Sequence, residues 1–339
     1  MSGPPVLVAP DSFKGTFPAT AVAQAIGRGL ARAGATADLC PVADGGEGTI
    51  DALADALGAE RWTAAAHDPL GRPVEAVFAL GTLGGRRTAI VETAAASGLG
   101  RVAPEERDAW AASTSGTGEL IAAAARAGAR TILVGVGGSA TTDGGTGALE
   151  AIAAAGGLGD ARVVVLCDVR TPFEDAARVF APQKGAGADT VVALGERLDA
   201  VARRLPRDPR GVAMTGAAGG LSGALWAAHG ARLVPGAGFV LDAIAFDARA
   251  RAASAIVTGE GRLDEQTLAG KVISEVARRT GGGGGGGGVP LYALVGRDDL
   301  PRERRAALGL AEVLETPTLD ALTAAGEWIG RRHRVAASP

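Results

Sequence analysis

Residues 254–279, "SAIVTGEGRLDEQTLAGKVISEVARR", decide the fold. They read in order as a strand "SAIVTG", a polar loop "EGRLDEQTLAG" and a helix "KVISEVARR". The same rhythm opens the chain, with strand "VLVAP" (6–10), loop "DSFKGTF" (11–17), and a helix from Pro18 that carries Val22, Ile26 and Leu30 on one stripe and stops at Gly34. A second front unit follows: strand "ADLCPV", loop "ADGGEG", helix "TIDALADALG". After residue 279 come strand "LYALVG", a helix around 302–308, strand "AEVLE" and a last helix from about Leu319. Five strands alternating with helices, two from the front and three from the back, predict a doubly wound parallel sheet built from both chain ends.

The middle follows another pattern. "RWTAAAH" and "PVEAVFALG" flank the turn "DPLGR" as an antiparallel hairpin, with "TAIVETA" as a third strand. Helix "GELIAAAARAG", strand "TILVGV", a helix over 146–155, strand "RVVVLCDV" and helices through the 190s and 220s to 240s complete a mixed α/β unit. The expected division is residues 1–60 plus 252–339 for the first domain and 61–251 for a second domain inserted in it. At 339 residues two domains are expected, since single cores stop growing at roughly 250–300 residues. The run "GGGGGGGG" (281–288) reads as a flexible surface connection.

Composition excludes several classes. A net charge of −3 offers no basic surface for a nucleic acid. The uncharged stretch 211–231 is broken by six glycines, Thr215, Ser222 and His229, so it lacks the continuity of a membrane span. No secretory signal opens the chain, and the cytoplasm is the expected compartment. Cys40 and Cys167 stand far apart, and neither they nor His67, His229 and His333 have metal-ligand spacing. No G-x-S-x-G is present, which disfavours a serine hydrolase.

Of 34 basic residues only Lys14, Lys184 and Lys271 are lysines, and each lies beside glycine in a loop. Lysine is a compact point charge, suited to a phosphate or carboxylate where a planar guanidinium does not fit. In open parallel sheets ligands sit beyond the carboxyl ends of the strands, where the winding reverses. If the strand order is 2-1-3-4-5, Asp11, Ser12 and Lys14 come near Glu260 and Asp264. The middle unit is expected to supply a second wall. Ser113, Ser115 and Thr117 precede a helix whose free N–H groups favour an anion. "GVGGSATTDGG" (135–145) carries Ser139, Thr141, Thr142 and Asp143 among its glycines, and Asp168 ends the next strand.

Gly135, Gly137 and Ala140 match the loose G-x-G-x-x-G/A pattern, but the acid that ends the next strand, Asp168, lies 33 positions after Gly135 instead of about 20. No Walker-type G-x-x-x-x-G-K-[ST] and no protein-kinase signature is present. Backbone donors, hydroxyls, three lysines and several acids suit phosphoryl transfer to a small molecule, in which the protein positions reactants and neutralises charge. A nicotinamide-dependent dehydrogenase of a small hydroxy acid and a non-catalytic hydroxy-acid-binding module are the alternatives.

Taken in order, "VAPDSFKGT", "PVADGGEGT", "STSGTGEL", "GVGGSATTDGG", "CDV", "PQKGA", "GAAGGL" and "VTGEGRLDEQTLAGK" closely resemble the type 1 glycerate kinase family, from about Val6 to Gly296. The resemblance implies a flavodoxin-like domain beside a second α/β domain. It also implies ATP- and Mg²⁺-dependent phosphorylation of D-glycerate in a cleft between the two domains, at the 2-hydroxyl, with a homodimer possible. Catalytic duty is expected of Asp11, Lys14, Asp168, Asp264 and Lys271, with Asp168 first as the base. Metal binding is expected of Asp168, Glu260 and Asp264. Nucleotide or substrate binding is expected of Ser12, Gly15, Asp44, Gly45, Gly46, Glu47, Ser115, Gly116, Thr117, Gly137, Gly138, Ser139, Asp143, Lys184, Gly219, Gly220, Gly259 and Glu260. The chain departs from the family in two places. Only "LGDA" (158–161) stands where members carry a longer segment, and Thr142 occupies a position that is commonly Asn, in a chain without any Asn.

Overall fold

A computed structural model describes residues 3–281 and 288–333. The expected surface connection at 281–288 therefore falls largely outside the described residues. The strands are β1 (Val6–Pro10), β2 (Ala37–Leu39), β3 (Glu60–His67), β4 (Pro73–Leu83), β5 (Arg86–Glu92), β6 (Thr131–Gly135), β7 (Arg162–Cys167), β8 (Arg232–Pro235), β9 (Ala255–Leu263), β10 (Leu291–Asp298) and β11 (Glu312–Glu315). They form two sheets in two compact units, residues 1–44 with 237–339, and residues 45–236.

The first unit holds the order β11-β10-β9-β1-β2, all parallel. Counted along this unit, that is 2-1-3-4-5, the flavodoxin-like arrangement. β1 is buried along its whole length, and Leu291–Val295 of β10 are as well, because helices cover both faces and no polar alternation is needed. On one face the helix Ala19–Arg32 packs on the final helix Leu319–His333 nearly backbone to backbone. A Cβ on Gly29 would lie 2.0 Å from Thr323 O, and one on Gly326 would lie 2.3 Å from Ile26 O. Val22, Ile26, Leu30, Leu322 and Ile329 fill the remainder of that interface with the sheet.

The second unit holds the order β3-β4-β5-β6-β7-β8, antiparallel from β3 to β5 and parallel from there to β8. Its helices Ser115–Arg126 and Thr146–Ala154 also meet at a glycine, since a Cβ on Gly118 would stand 2.4 Å from Ala148 O.

Local readings change in three places. The segments 45–60 and 237–251 fall on the opposite sides from the expected division. The helix Thr49–Leu57 lies against β4, where a Cβ on Gly81 would meet Leu57 O at 2.5 Å. Arg279 of the first unit donates to Gly238 O and pairs with Asp242 at 2.7 Å, which ties the helix Gly236–Ala243 there. β9 runs on through residues 260–263, expected as loop, because it stays paired with β10 out to Leu263 and Asp298. β8 interrupts the helices expected from the 220s to the 240s; its four residues are too few for a periodic signal.

Glycine-to-alanine changes should therefore take opposite signs in two helices. Gly326→Ala should lower the melting temperature, since overpacking costs about 1–3 kcal/mol. Gly195→Ala lies inside the helix Ala188–Ala202 with nothing within 4 Å of the added Cβ. It should gain roughly 0.5–1 kcal/mol of helix stability. Calorimetric melting of the two variants is the check, and equal shifts of one sign would contradict the packing described.

Candidate active site

Beyond the carboxyl ends of β1, β9 and β10 the first unit has a cavity of about 330 Å³. Its walls include Asp11, Ser12, Lys14, Glu260 and Lys271, so most of the residues expected at the winding reversal do come together. Asp11 follows β1 directly and is buried; its N–H donates to Gly259 O, and its Oδ1 accepts the Ser12 N–H at 2.6 Å. Lys14 Nζ pairs with Asp44 Oδ2 at 2.6 Å, and Asp44 is buried too. Glu260 lies on β9, and Oε1 accepts the Thr267 hydroxyl. Lys271 precedes the helix Val272–Arg279.

The acids of this cavity are poised to hold protons. Burial, reinforced by the neighbouring Asp44 carboxylate, holds Asp11 well above the usual carboxylate range. Burial also pushes Glu260 up to about 7, against the Thr267 hydroxyl and the charges of Lys271 and Lys14. Residues not anticipated from sequence complete the lining, notably Arg262 and Arg297, whose Nε atoms donate to Asp299 at 2.6 and 2.8 Å. The signal for Arg262 was present in the loop "EGRLDEQTLAG" (260–270), and that for Arg297 in "VGRDD" (295–299), at the second of the back-half loops.

Three expected residues of this unit have other work. Asp264 Oδ1 accepts the Gln266 N–H at 2.9 Å and Oδ2 lies 3.7 Å from Arg262, so it caps a turn and does not line the cavity. Gly259 is required by the sheet, because a Cβ there would meet Leu294 O at 2.2 Å. Gly15 turns the loop at φ +76° with open space around it.

In the second unit the glycine-rich stretch after β6 folds onto other backbone. A Cβ on Gly135 would lie 2.7 Å from Gly45 O, and one on Gly137 would lie 2.6 Å from Gly46 Cα. Gly144, Gly145 and Gly147 are crowded by Val201, Ala224 and Ser113 respectively. Gly219 and Gly220 take φ of +63° and +97°, with Thr141 O and the Phe173 ring where their Cβ atoms would be. Chain-to-chain packing thus accounts for these glycines, including those expected to make room for phosphate.

The polar residues of the stretch divide similarly. Asp143 is buried, and its Oδ2 accepts from Thr114 N–H, Thr114 hydroxyl and Gly147 N–H, while Oδ1 accepts from Gly145 N–H. It ties two helix N-termini together. Thr117 donates to Ser97 Oγ at 2.8 Å, and a Cβ on Gly116 would lie 1.9 Å from His67 O, so both are structural. The Ser115 N–H donates to Ser113 Oγ. Ser139 receives Lys184, whose amine is buried. Gly138 is less confined, 3.4 Å from Ala94 Cβ at φ +74°. Thr142 is fully buried, and its hydroxyl has no hydrogen-bond partner among the described residues. Asp168 follows β7 and is half-buried.

Glu92, at the end of β5, was not singled out from sequence. Its Oε1 accepts the Ile50 N–H at 2.7 Å, and burial pushes it up to about 7. It anchors the start of the helix after Gly45, Gly46 and Glu47.

Glu260 and Asp264 belong to the first unit and Asp168 to the second, so the expected metal ligands are divided. Among the described residues no three acidic, histidine or cysteine side chains form a cluster that could hold an ion alone, and no helix is long and apolar enough to cross a membrane.

Comparison with known proteins agrees with the motifs. A family model described as "Glycerate kinase family" matches residues 6–157 and 153–325. The chain is 36% identical to a Bacillus subtilis protein named glycerate kinase, with 98% of this chain and 97% of that one covered. It is 38% identical to an Escherichia coli protein named glycerate 2-kinase, with 81% and 82% covered. A solved structure of a glycerate kinase 2 from Salmonella typhimurium LT2 superposes with a TM-score of 0.76 at 34% identity, covering 98% of this chain and 96% of that one. With its fold, its motifs and its relatives in agreement over nearly the whole length, this chain belongs to the glycerate kinase family.

Proposed function

We propose that the protein phosphorylates D-glycerate with ATP and Mg²⁺, delivering the phosphoryl group to the 2-hydroxyl. The observation that carries this reading is the cavity of the first unit, in which Lys14, Lys271, Arg262 and Arg297 face two protonatable acids, Asp11 and Glu260. Cations of this kind bind a small carboxylate, and an acid poised near neutrality accepts the proton of a hydroxyl as it attacks. Lys271 and Lys14 are assigned to the glycerate carboxylate and the transferred phosphate.

The base assignment moves from Asp168 to Glu260. Glu260 lines the cavity and titrates near the working range, the condition for efficient proton transfer. Its bond from Thr267 fixes one carboxylate oxygen, so the group is oriented before substrate arrives. The ATP phosphates are assigned to the stretch 135–145 and the N-terminus of the helix Ser115–Arg126, where N–H donors and hydroxyls outnumber charges.

Mg²⁺ takes one or two carboxylates and completes its shell with phosphate oxygens and water, so a three-residue protein cage is not required. Asp11 fits it as a hard oxygen donor, which leaves Glu260 to take the proton; Asp264 does not fit. Bound there, the ion would supply charge neutralisation at the transferred phosphate.

Two measurements test the reading. ADP release coupled to D-glycerate should need ATP and Mg²⁺ and yield 2-phosphoglycerate, while no turnover across related hydroxy acids, or a 3-phosphoglycerate product, would reject the corresponding part. With Glu260 as base, kcat/KM should rise with pH through about 7, because the carboxyl is protonated below that value and ionised above it. Glu260→Gln should cost about 10²-fold or more and remove this limb. Loss of turnover in Asp168→Asn with activity retained in Glu260→Gln would return the base to Asp168.

A further inference from the structure

Lys184 lies deep within the second unit at the end of "PQK", before Gly185 at φ +93°. Its side chain is 2% exposed, and Nζ donates to Thr141 O at 2.5 Å and Ser139 Oγ at 3.2 Å. Both acceptors lie in the stretch assigned to the nucleotide phosphates. The two ends of that stretch are held by other means. Upstream, Leu99 N–H donates to Gly138 O and Ala140 N–H to Ser97 O. Downstream, Asp143 accepts the N–H groups of Gly145 and Gly147. Ser139 and Thr141, on either side of Ala140, receive the lysine.

We propose that Lys184 is a positioning residue of the nucleotide loop, whose amine fastens Ser139 and Thr141 from the protein interior so that the loop's donors are arranged before a polyphosphate arrives. The proposal rests on the assignment of that loop to ATP. It explains why this position is one of only three lysines among 34 basic residues. A carbonyl and a hydroxyl converging on one point suit a compact ammonium, whereas a planar guanidinium needs a wider fork. Burial pulls the amine down to about 7, with Asp143 as the opposing charge. An amine so withdrawn from water is a fastening and not a free-swinging phosphate clamp. Preorganised donors spare the cost of ordering a loop at the moment of binding.

Lys184→Met keeps the apolar stem and removes the donor, and Lys184→Arg keeps the charge in the wrong shape. Hydrogen exchange of the nucleotide-free protein should quicken at residues 138–142 in both. The KM for ATP should rise about tenfold or more, from the loss of two hydrogen bonds that hold the loop. The KM for glycerate and kcat should change far less. A rise in ATP KM with wild-type exchange in the nucleotide-free loop would make Lys184 a direct phosphate ligand and overturn the proposal. Quickened exchange with unchanged ATP KM would overturn it also, by removing the nucleotide from this loop, while glycerate-dependent ADP release in the same preparation would leave the kinase reading standing. If Lys184→Met does not fold, Ser139→Ala removes one acceptor and should reproduce the loosened exchange in smaller measure; no loosening in Ser139→Ala would count against the fastening.

Discussion

Strand β1 pairs in parallel with β2 on one side and β9 on the other, Val6 facing Ala37 and Ala255 in the two registers. The winding of the first unit reverses between β1 and β9, and the helices that follow these two strands are Ala19–Arg32 and Val272–Arg279. A crevice must open there, because the loops after β1 and β9 part to reach those helices. Asp11, directly after β1, and Glu260, on β9, occupy it. Burial raises both acids, the Asp44 carboxylate adds to it, and the charges of Lys14 and Lys271 limit the cost. The chemistry of the cavity is thus a consequence of strand order.

The second unit is organised by a different need, the close approach of main chains. Its glycine-rich stretch packs on residues 45–46 and on the 218–220 turn, and the side chains that remain are used to satisfy buried N–H and C=O groups. Asp143 accepts four donors, and Lys184 supplies two hydrogen bonds in the reverse direction. Leaving such groups unpaired costs about 1–3 kcal/mol each, which is why these polar residues are buried beside apolar ones. Ala218 at φ +51° shows that the turn facing Thr141 holds a left-handed geometry even without glycine. The Thr142 hydroxyl, without a hydrogen-bond partner among the described residues, lies in the same region.

Much was legible in the residues themselves. The alternation of buried strands and striped helices at both chain ends determined the doubly wound sheet, because strand and helix periods are local properties. Glycine at 34 marked a helix stop for the same reason, and polar loops after each strand marked the edge where a ligand site would form. The three lysines were conspicuous in a chain that otherwise uses arginine.

Tertiary structure alone decided what each polar residue does. Asp11, Asp143 and Asp264 look alike in sequence, yet one lines the cavity, one ties helix N-termini and one caps a turn; the neighbours that set the first two apart, Glu260 and Thr114, lie far away in the chain. The same holds for the lysines: Lys271 lines the cavity while Lys184 turns inward. The division between units shifted for a related reason. The helix Thr49–Leu57 has the same local pattern whichever sheet it covers, and only contact with β4 assigns it to the second unit. Sequence by itself determined elements and their order, since these follow from local periodicity; the identity of each residue's partner, and so its chemical role, followed from distances that only the folded chain sets.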